Sequence, residues 1–264
     1  MRVIFTISIL IFLCSCATTN GVKQEPKKLL SEEEKTYISI VETDGRLMHE
    51  KDVRSANATD LLLAKIDPAN YPNFVGWVTY PSREGYTVSF YERSEKGFGV
   101  IADVIYLKSE GPALNIAPTR EPSEIEISMI NARITALENG ASSCSKRHNT
   151  IVLPSQDKEL WDVYVLAATT DPRLVQVGGH VKVTVSKESA EVLEVMPLSK
   201  SCLVLDKTEG LPEGATLAAL TVSHIVTSMP IAIHPYINLL HDIDLVVSTE
   251  RGLWMVSAGK IEQL

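Results

Sequence analysis

Three histidines and two aspartates crowd into one stretch near the C-terminal end: His224, His234, His241, Asp242 and Asp244. Imidazole nitrogens and carboxylate oxygens are ligands for zinc, and the same groups supply a general base and the acid that orients it. A compact motif such as H-E-x-x-H puts two ligands on one helix face, and no such spacing occurs here. His234 stands before Pro235 and His241 beside Asp242, positions typical of strand ends and turns. The cluster therefore reads first as turn and surface histidines. A periplasmic hydrolase built on these five residues, zinc-dependent in one form, is the alternative, and it requires at least three of them to converge in a cleft.

Other chemistries find less. No G-x-S-x-G elbow presents a serine nucleophile, and Ser142, Ser143 and Ser223 are not placed against an imidazole by adjacency alone. Gly178 and Gly179 precede His180 without the rest of a phosphate-binding loop, so they read as a turn with positive φ. The net charge of −8 argues against a nucleic-acid partner, whose affinity would come from clustered Lys and Arg. The basic pairs Lys27-Lys28 and Lys146-Arg147 are too small for such a surface.

The start of the chain gives an address. Val3 to Leu13 is apolar except for Thr6 and Ser8 and follows Arg2, the layout of a secretory signal. A spanning helix needs about 20 apolar residues, and this run is too short. Leu13-Cys14-Ser15-Cys16 resembles the lipobox of bacterial lipoproteins. The resemblance covers these four residues and the apolar run. It implies cleavage after Ser15 and acylation of Cys16, which makes membrane lipid a partner. Two or more acyl chains, at about 0.8 kcal/mol per buried methylene, hold a protein stably on its membrane. Ala17 stands where an aspartate would favour the inner membrane, so the expected residence is the outer membrane, facing the periplasm.

That compartment bears on the remaining cysteines. With residues 1–15 removed and Cys16 acylated, Cys144 and Cys202 are the pair left, and an oxidising environment makes a disulfide between them the expectation. Closing a loop of about 60 residues restricts the unfolded chain by roughly 4 kcal/mol on the chain-entropy model.

Residues 16–30 read as a lipidated flexible tether, and 31–264 as a single domain. Ser31 with Glu34 forms a capping box ahead of a helix that Gly45 interrupts, giving one broken helix or two up to Pro68. Pro68, Pro72 and Pro81 mark a turn-rich segment. Tyr86–Tyr91 and Phe98–Leu107 read as a hairpin. A second capping box, Ser123 with Glu126, opens a central amphipathic helix carrying Ile127, Ile130, Ile134 and Leu137. Every later segment reads as strand, with turns that favour antiparallel neighbours. Trp77, Trp161 and Trp254, with the hairpin aromatics, are expected in the core.

The fold class expected is α+β: N-terminal helices and one central amphipathic helix packed on a mainly antiparallel sheet. The function expected is a non-enzymatic binding or interaction module of the cell envelope, with an envelope protein as its partner and no cofactor.

Overall fold

The computed structural model describes residues 29–82, 85–95, 97–107, 110–212, 214–215 and 217–264. The signal-like run, Cys16 and the tether through residue 28 lie outside them. Helix α1 (Glu32–Leu63) opens the fold, followed by a meander of β1 (Phe74–Ser82), β2 (Gly85–Ser94), β3 (Gly97–Leu107) and β4 (Ala113–Ile116). After α2 (Glu124–Gly140), a second antiparallel sheet forms in the order β5 (His148–Pro154), β6 (Leu160–Ala167), β8 (Val181–Ser186), β9 (Val192–Pro197). The short strands β7 (Leu174–Gln176) and β10 (Val204–Asp206) pair separately. The last sheet runs β11 (Ala219–Ser223), β12 (Asp244–Thr249), β13 (Gly252–Ser257), β14 (Lys260–Gln263), with α3 (Ile233–His241) between its first two strands. The α+β class is observed, but it is richer in sheet than expected: among the described residues four sheets, mostly antiparallel, take the place of one.

Helix α1 is continuous for 32 residues, where a break at Gly45 was expected. Both capping-box bonds form: Ser31 Oγ accepts from the Glu34 N–H, and Glu34 accepts from the Ser31 N–H. Gly45 is a crossing point. A Cβ built there would lie 2.4 Å from Pro235 Cγ and 2.8 Å from the Ala232 carbonyl oxygen, so the missing side chain lets α3 approach. Gly45→Ala gains up to about 1 kcal/mol of helix propensity. It overpacks the crossing by more, since such insertions cost about 1–3 kcal/mol and here one neighbour is backbone. The expected outcome is a lower urea midpoint at unchanged slope; a raised midpoint would show that the crossing has room.

The buried face of α1 includes Glu42, Lys51 and Ser55, each satisfied by the elements beneath it. Glu42 accepts from the Ile261 N–H at 2.8 Å and from Lys260 Nζ at 2.9 Å, while Lys51 Nζ donates to the Val152 carbonyl at 2.8 Å. Polar side chains thus serve as ties on a face that apolar periodicity alone would not trace.

The second sheet lies between two helices, and strand alternation separates its faces. Trp161, Val163 and Val165 of β6, with Val181, Val183 and Val185 of β8, pack against Met129, Ile130 and Ala136 of α2. The opposite face turns Ile151, Leu153, Tyr164 and Leu166 toward α1 and α3. Trp161 and Trp254 are core residues as expected, whereas Trp77 is only half-buried.

Two expectations fail for identifiable reasons. The proline-marked segment keeps its turns only before β1, a short 3₁₀ turn at Pro68–Asn70 and a turn at 72–73 closed by the Phe74 N–H on the Tyr71 carbonyl; from there Gly76 adopts φ +128° at a register shift and the strand runs on. The region after α2 is not all strand either: β11 and β12 are parallel, and parallel neighbours need a crossover, which α3 provides.

Cys144 and Cys202 form a disulfide with Cα atoms 5.1 Å apart. The pair Gly178-Gly179 passes beneath it. Gly179 has φ +87°, as expected of the turn, and a Cβ there would sit 2.4 Å from Cys144 Cβ. A Cβ at Gly178 would meet the Ser201 carbonyl at 2.1 Å. Glycines therefore let both disulfide-bearing loops close over the entry to β8.

Candidate functional site

Of the five His and Asp residues, the fold brings two together. His224 follows β11, His234 lies in the first turn of α3, and their rings meet edge to face with centroids 4.8 Å apart. Their nitrogens serve the loop between them. The Ile231 N–H donates to His234 Nδ1 at 3.0 Å, and His224 Nε2 bonds with Thr227. His241 ends α3, Asp242 caps it in the left-handed region and Asp244 begins β12. A helical rise of about 1.5 Å per residue puts His241 roughly 10 Å along the axis from His234. Among the described residues no group of three or more His, Cys, Asp or Glu could hold a metal ion. Burial, with His224 nearby, pushes His234 down to about 3, so this pair is a neutral element of loop structure. Ser142 donates to the Gly179 carbonyl, not to an imidazole.

The structure points elsewhere. Beneath the first half of α1 is a cleft of about 360 Å³, within the usual range for small-molecule sites. Helix α1 contributes Tyr37, Ile40, Val41 and Asp44 at the i, i+3, i+4, i+7 spacing of one helix face. The floor comes from the sheet face turned toward α1. Asp162 and Tyr164 sit two apart on β6, and opposite them on β8 are Thr184 and Lys182. Met196 of β9 lies beside Lys182, and the loop leading to α3 closes the end with Thr227, Ile231 and Ala232.

The polar groups fall into two sets. Asp162 is held: Thr184 Oγ1 donates to its Oδ1 at 2.8 Å, and Lys182 Nζ approaches its Oδ2 at 3.6 Å. Asp44 makes no hydrogen bond or ion pair among the described residues, and neither does the Tyr164 hydroxyl, although Tyr164 is only 6% exposed. Burial, with the Asp162 charge adding, pushes the Asp44 carboxyl up to about 6; Lys182 opposes the shift. Burial, then Asp44 and Asp162, drives the Tyr164 phenol far above its usual range. Burial raises Tyr37 as well, with Thr227 partly offsetting it. The cleft thus joins apolar walls to polar atoms that the fold leaves unmatched, an arrangement suited to a ligand that brings both kinds of group.

None of these residues belongs to a recognisable motif, yet a signal is present. Asp44 interrupts an otherwise apolar face, and Asp162 and Tyr164 alternate with Trp161, Val163 and Val165 on a strand that could have been apolar on both sides. What the sequence cannot display is that these positions, more than a hundred residues apart, share one cleft. No protein-family model, curated protein or solved structure matches this chain.

Proposed function

We propose that this chain is a lipid-tethered binding protein of the cell envelope, anchored through acylated Cys16 on the outer membrane facing the periplasm, with the cleft beneath α1 as its binding site. The observation that carries the binding role is the cleft itself: apolar walls around an unpartnered carboxylate and an unpartnered phenol. The disulfide suits an oxidising compartment. Among the described residues no helix is long and apolar enough to cross a membrane.

Two measurements test it. In a Gram-negative host the full chain is expected in the membrane fraction, with an N-terminal peptide that starts at Cys16 and carries acyl mass, while Cys16→Ser is released. Soluble wild-type protein with an unmodified Cys16 would remove the tether from the proposal. A thermal-shift screen of small molecules should find compounds that stabilise the wild type but not Met196→Trp, which fills the cleft mouth. A screen without such compounds would remove the binding role.

A further inference from the structure

We infer that the cleft beneath α1 selects a small amphiphile with one positive charge, an ammonium group on an apolar body, with Asp44 as its counter-ion. The inference rests on the reading of the cleft as a binding site and adds the chemical class of ligand.

Charge balance comes first. The cleft holds two carboxylates and one ammonium, and that ammonium lies beside Asp162, 3.6 Å away. One negative charge is left over, and it belongs to Asp44. An unpaired carboxylate in a half-buried site is costly, and an incoming cation relieves that cost without breaking any bond in the protein. An anion would have to draw Lys182 from Asp162 and face Asp44 as well.

The second observation is the Tyr164 hydroxyl. The Tyr164 side chain is more than nine-tenths buried and lines the cleft, and its hydroxyl feels both carboxylates yet has no hydrogen-bond partner among the described residues. Its oxygen can accept a hydrogen bond from an ammonium held by Asp44. Tyr37 and Tyr164 also bring aromatic rings to the cleft, and ring faces attract cations. A divalent metal fits poorly, since no three metal-ligating side chains converge among the described residues.

Size and walls complete the description. A cavity of about 360 Å³ is equivalent to roughly a dozen waters at about 30 Å³ each, so the body of the ligand has on the order of ten heavy atoms. Ile40, Val41, Met196, Leu198 and Ile231 offer it apolar contact.

The groups facing Asp44 are Tyr37 from its own helix, Asp162 and Tyr164 from β6, and Lys182 from β8. Burial, with the Asp162 charge adding, moves the Asp44 carboxyl up to about 6. A cation binds to its ionised form, so affinity should fall as pH drops through that range, about tenfold between pH 7 and pH 5.

The test titrates the full-length protein calorimetrically with three probes of similar shape: 2-phenylethylammonium, 3-phenylpropionate and 2-phenylethanol. The ammonium is expected to bind at least tenfold more tightly than the other two near pH 7 and to lose about tenfold by pH 5. Asp44→Asn should weaken it about tenfold near pH 7 and flatten the pH dependence. Equal or tighter binding of the carboxylate or the alcohol overturns the assignment, as does an Asp44→Asn variant that binds the ammonium unchanged. Failure of all three probes also overturns it. Compounds found in the thermal screen would then still support a binding cleft, so the two readings fail separately.

Discussion

Arg120→Ala is expected to destabilise the protein by about 3 kcal/mol, near the lower end of what removing one partner of a buried ion pair costs. Arg120 lies between β4 and α2, and its guanidinium serves two carboxylates at once. Nε and Nη2 donate to Asp103 of β3, both at 2.7 Å, while Nη2 and Nη1 reach Glu126 of α2 at 2.8 and 3.1 Å. Asp103 is 5% exposed and Glu126 3%, so with Arg120 in place both charges depend on the protein for their partners. The rest of the cluster is arranged around those charges: Ser89 donates to Asp103, Tyr80 and Tyr91 donate to Glu126, and Glu126 also closes the capping box with Ser123. Burial alone would raise the Glu126 carboxyl, but Arg120, Ser123 and Tyr91 hold it down to about 2. Part of the Arg120 side chain faces solvent, which places the estimate at the lower end of the range.

The comparison that isolates the mechanism is a denaturant series on Arg120→Ala, Arg120→Lys and the triple variant Arg120→Ala/Asp103→Asn/Glu126→Gln. Lysine keeps the charge but not the fork that engages two acids, so it should recover only part of the loss. The triple variant removes the stranded charges and should be more stable than Arg120→Ala alone. An Arg120→Ala midpoint equal to that of wild type would show that the cluster is solvated and contributes little.

The same cluster shows what could be read from the sequence and what could not. Ser123 and Glu126 are legible as a capping box because that motif is local, and both of its bonds are present. That Glu126 is also one of the most buried acids is invisible, because its partners lie on β1, β2 and the loop after β4. The hairpin from Tyr86 to Leu107 was legible through its β-branched and aromatic residues, and the observed register extends it at both ends. Helix α3 was not. It is short, begins without a side-chain cap and carries Pro235 in its first turn, so His234 and Pro235 looked like a strand end. Gly45 reads as a break because a glycine in a helix weakens it in local energetics, whereas here it answers a tertiary demand, the approach of Pro235. The cleft was least legible of all. Asp44, Asp162 and Lys182 are ordinary charged residues until the β6/β8 register sets the last two on the face that α1 covers.

Folding stability is expected to fall by about 3 kcal/mol between pH 6 and pH 4, from groups that never titrate in the native protein across most of that range. Burial pushes His180 down to about 4, with a raising contribution from its bond to the Gln176 carbonyl, and His234 to about 3. In the unfolded chain both return to about 6.5. Below that value the unfolded state binds two protons that the native state does not. Stability therefore declines with falling pH, at about 1.4 kcal/mol per unit for each histidine. Asp44 acts in the opposite sense. Its folded value lies near 6, above the unfolded 3.8, so the native state takes up a proton first and cancels about one histidine over the same interval. Asp52, raised by burial, opposes the loss too; His49, His224 and His241, all lowered by burial, add to it, and Glu126, held down to about 2, adds to it near and below its unfolded value of 4.5. The net slope is roughly 1.4 kcal/mol per unit. Denaturant midpoints at successive pH values measure it, and imidazole resonances followed by NMR should show His180 and His234 still neutral near pH 5. Asp44→Asn removes the opposing proton and should steepen the decline toward twice that slope, although it leaves both histidines untouched. Stability that is flat or rising as pH falls from 6 to 4 would mean that His180 and His234 reach water in the native state. The steepening by Asp44→Asn is the sharper check, because it ties the ionisation of the cleft to the folding of the whole body through one proton.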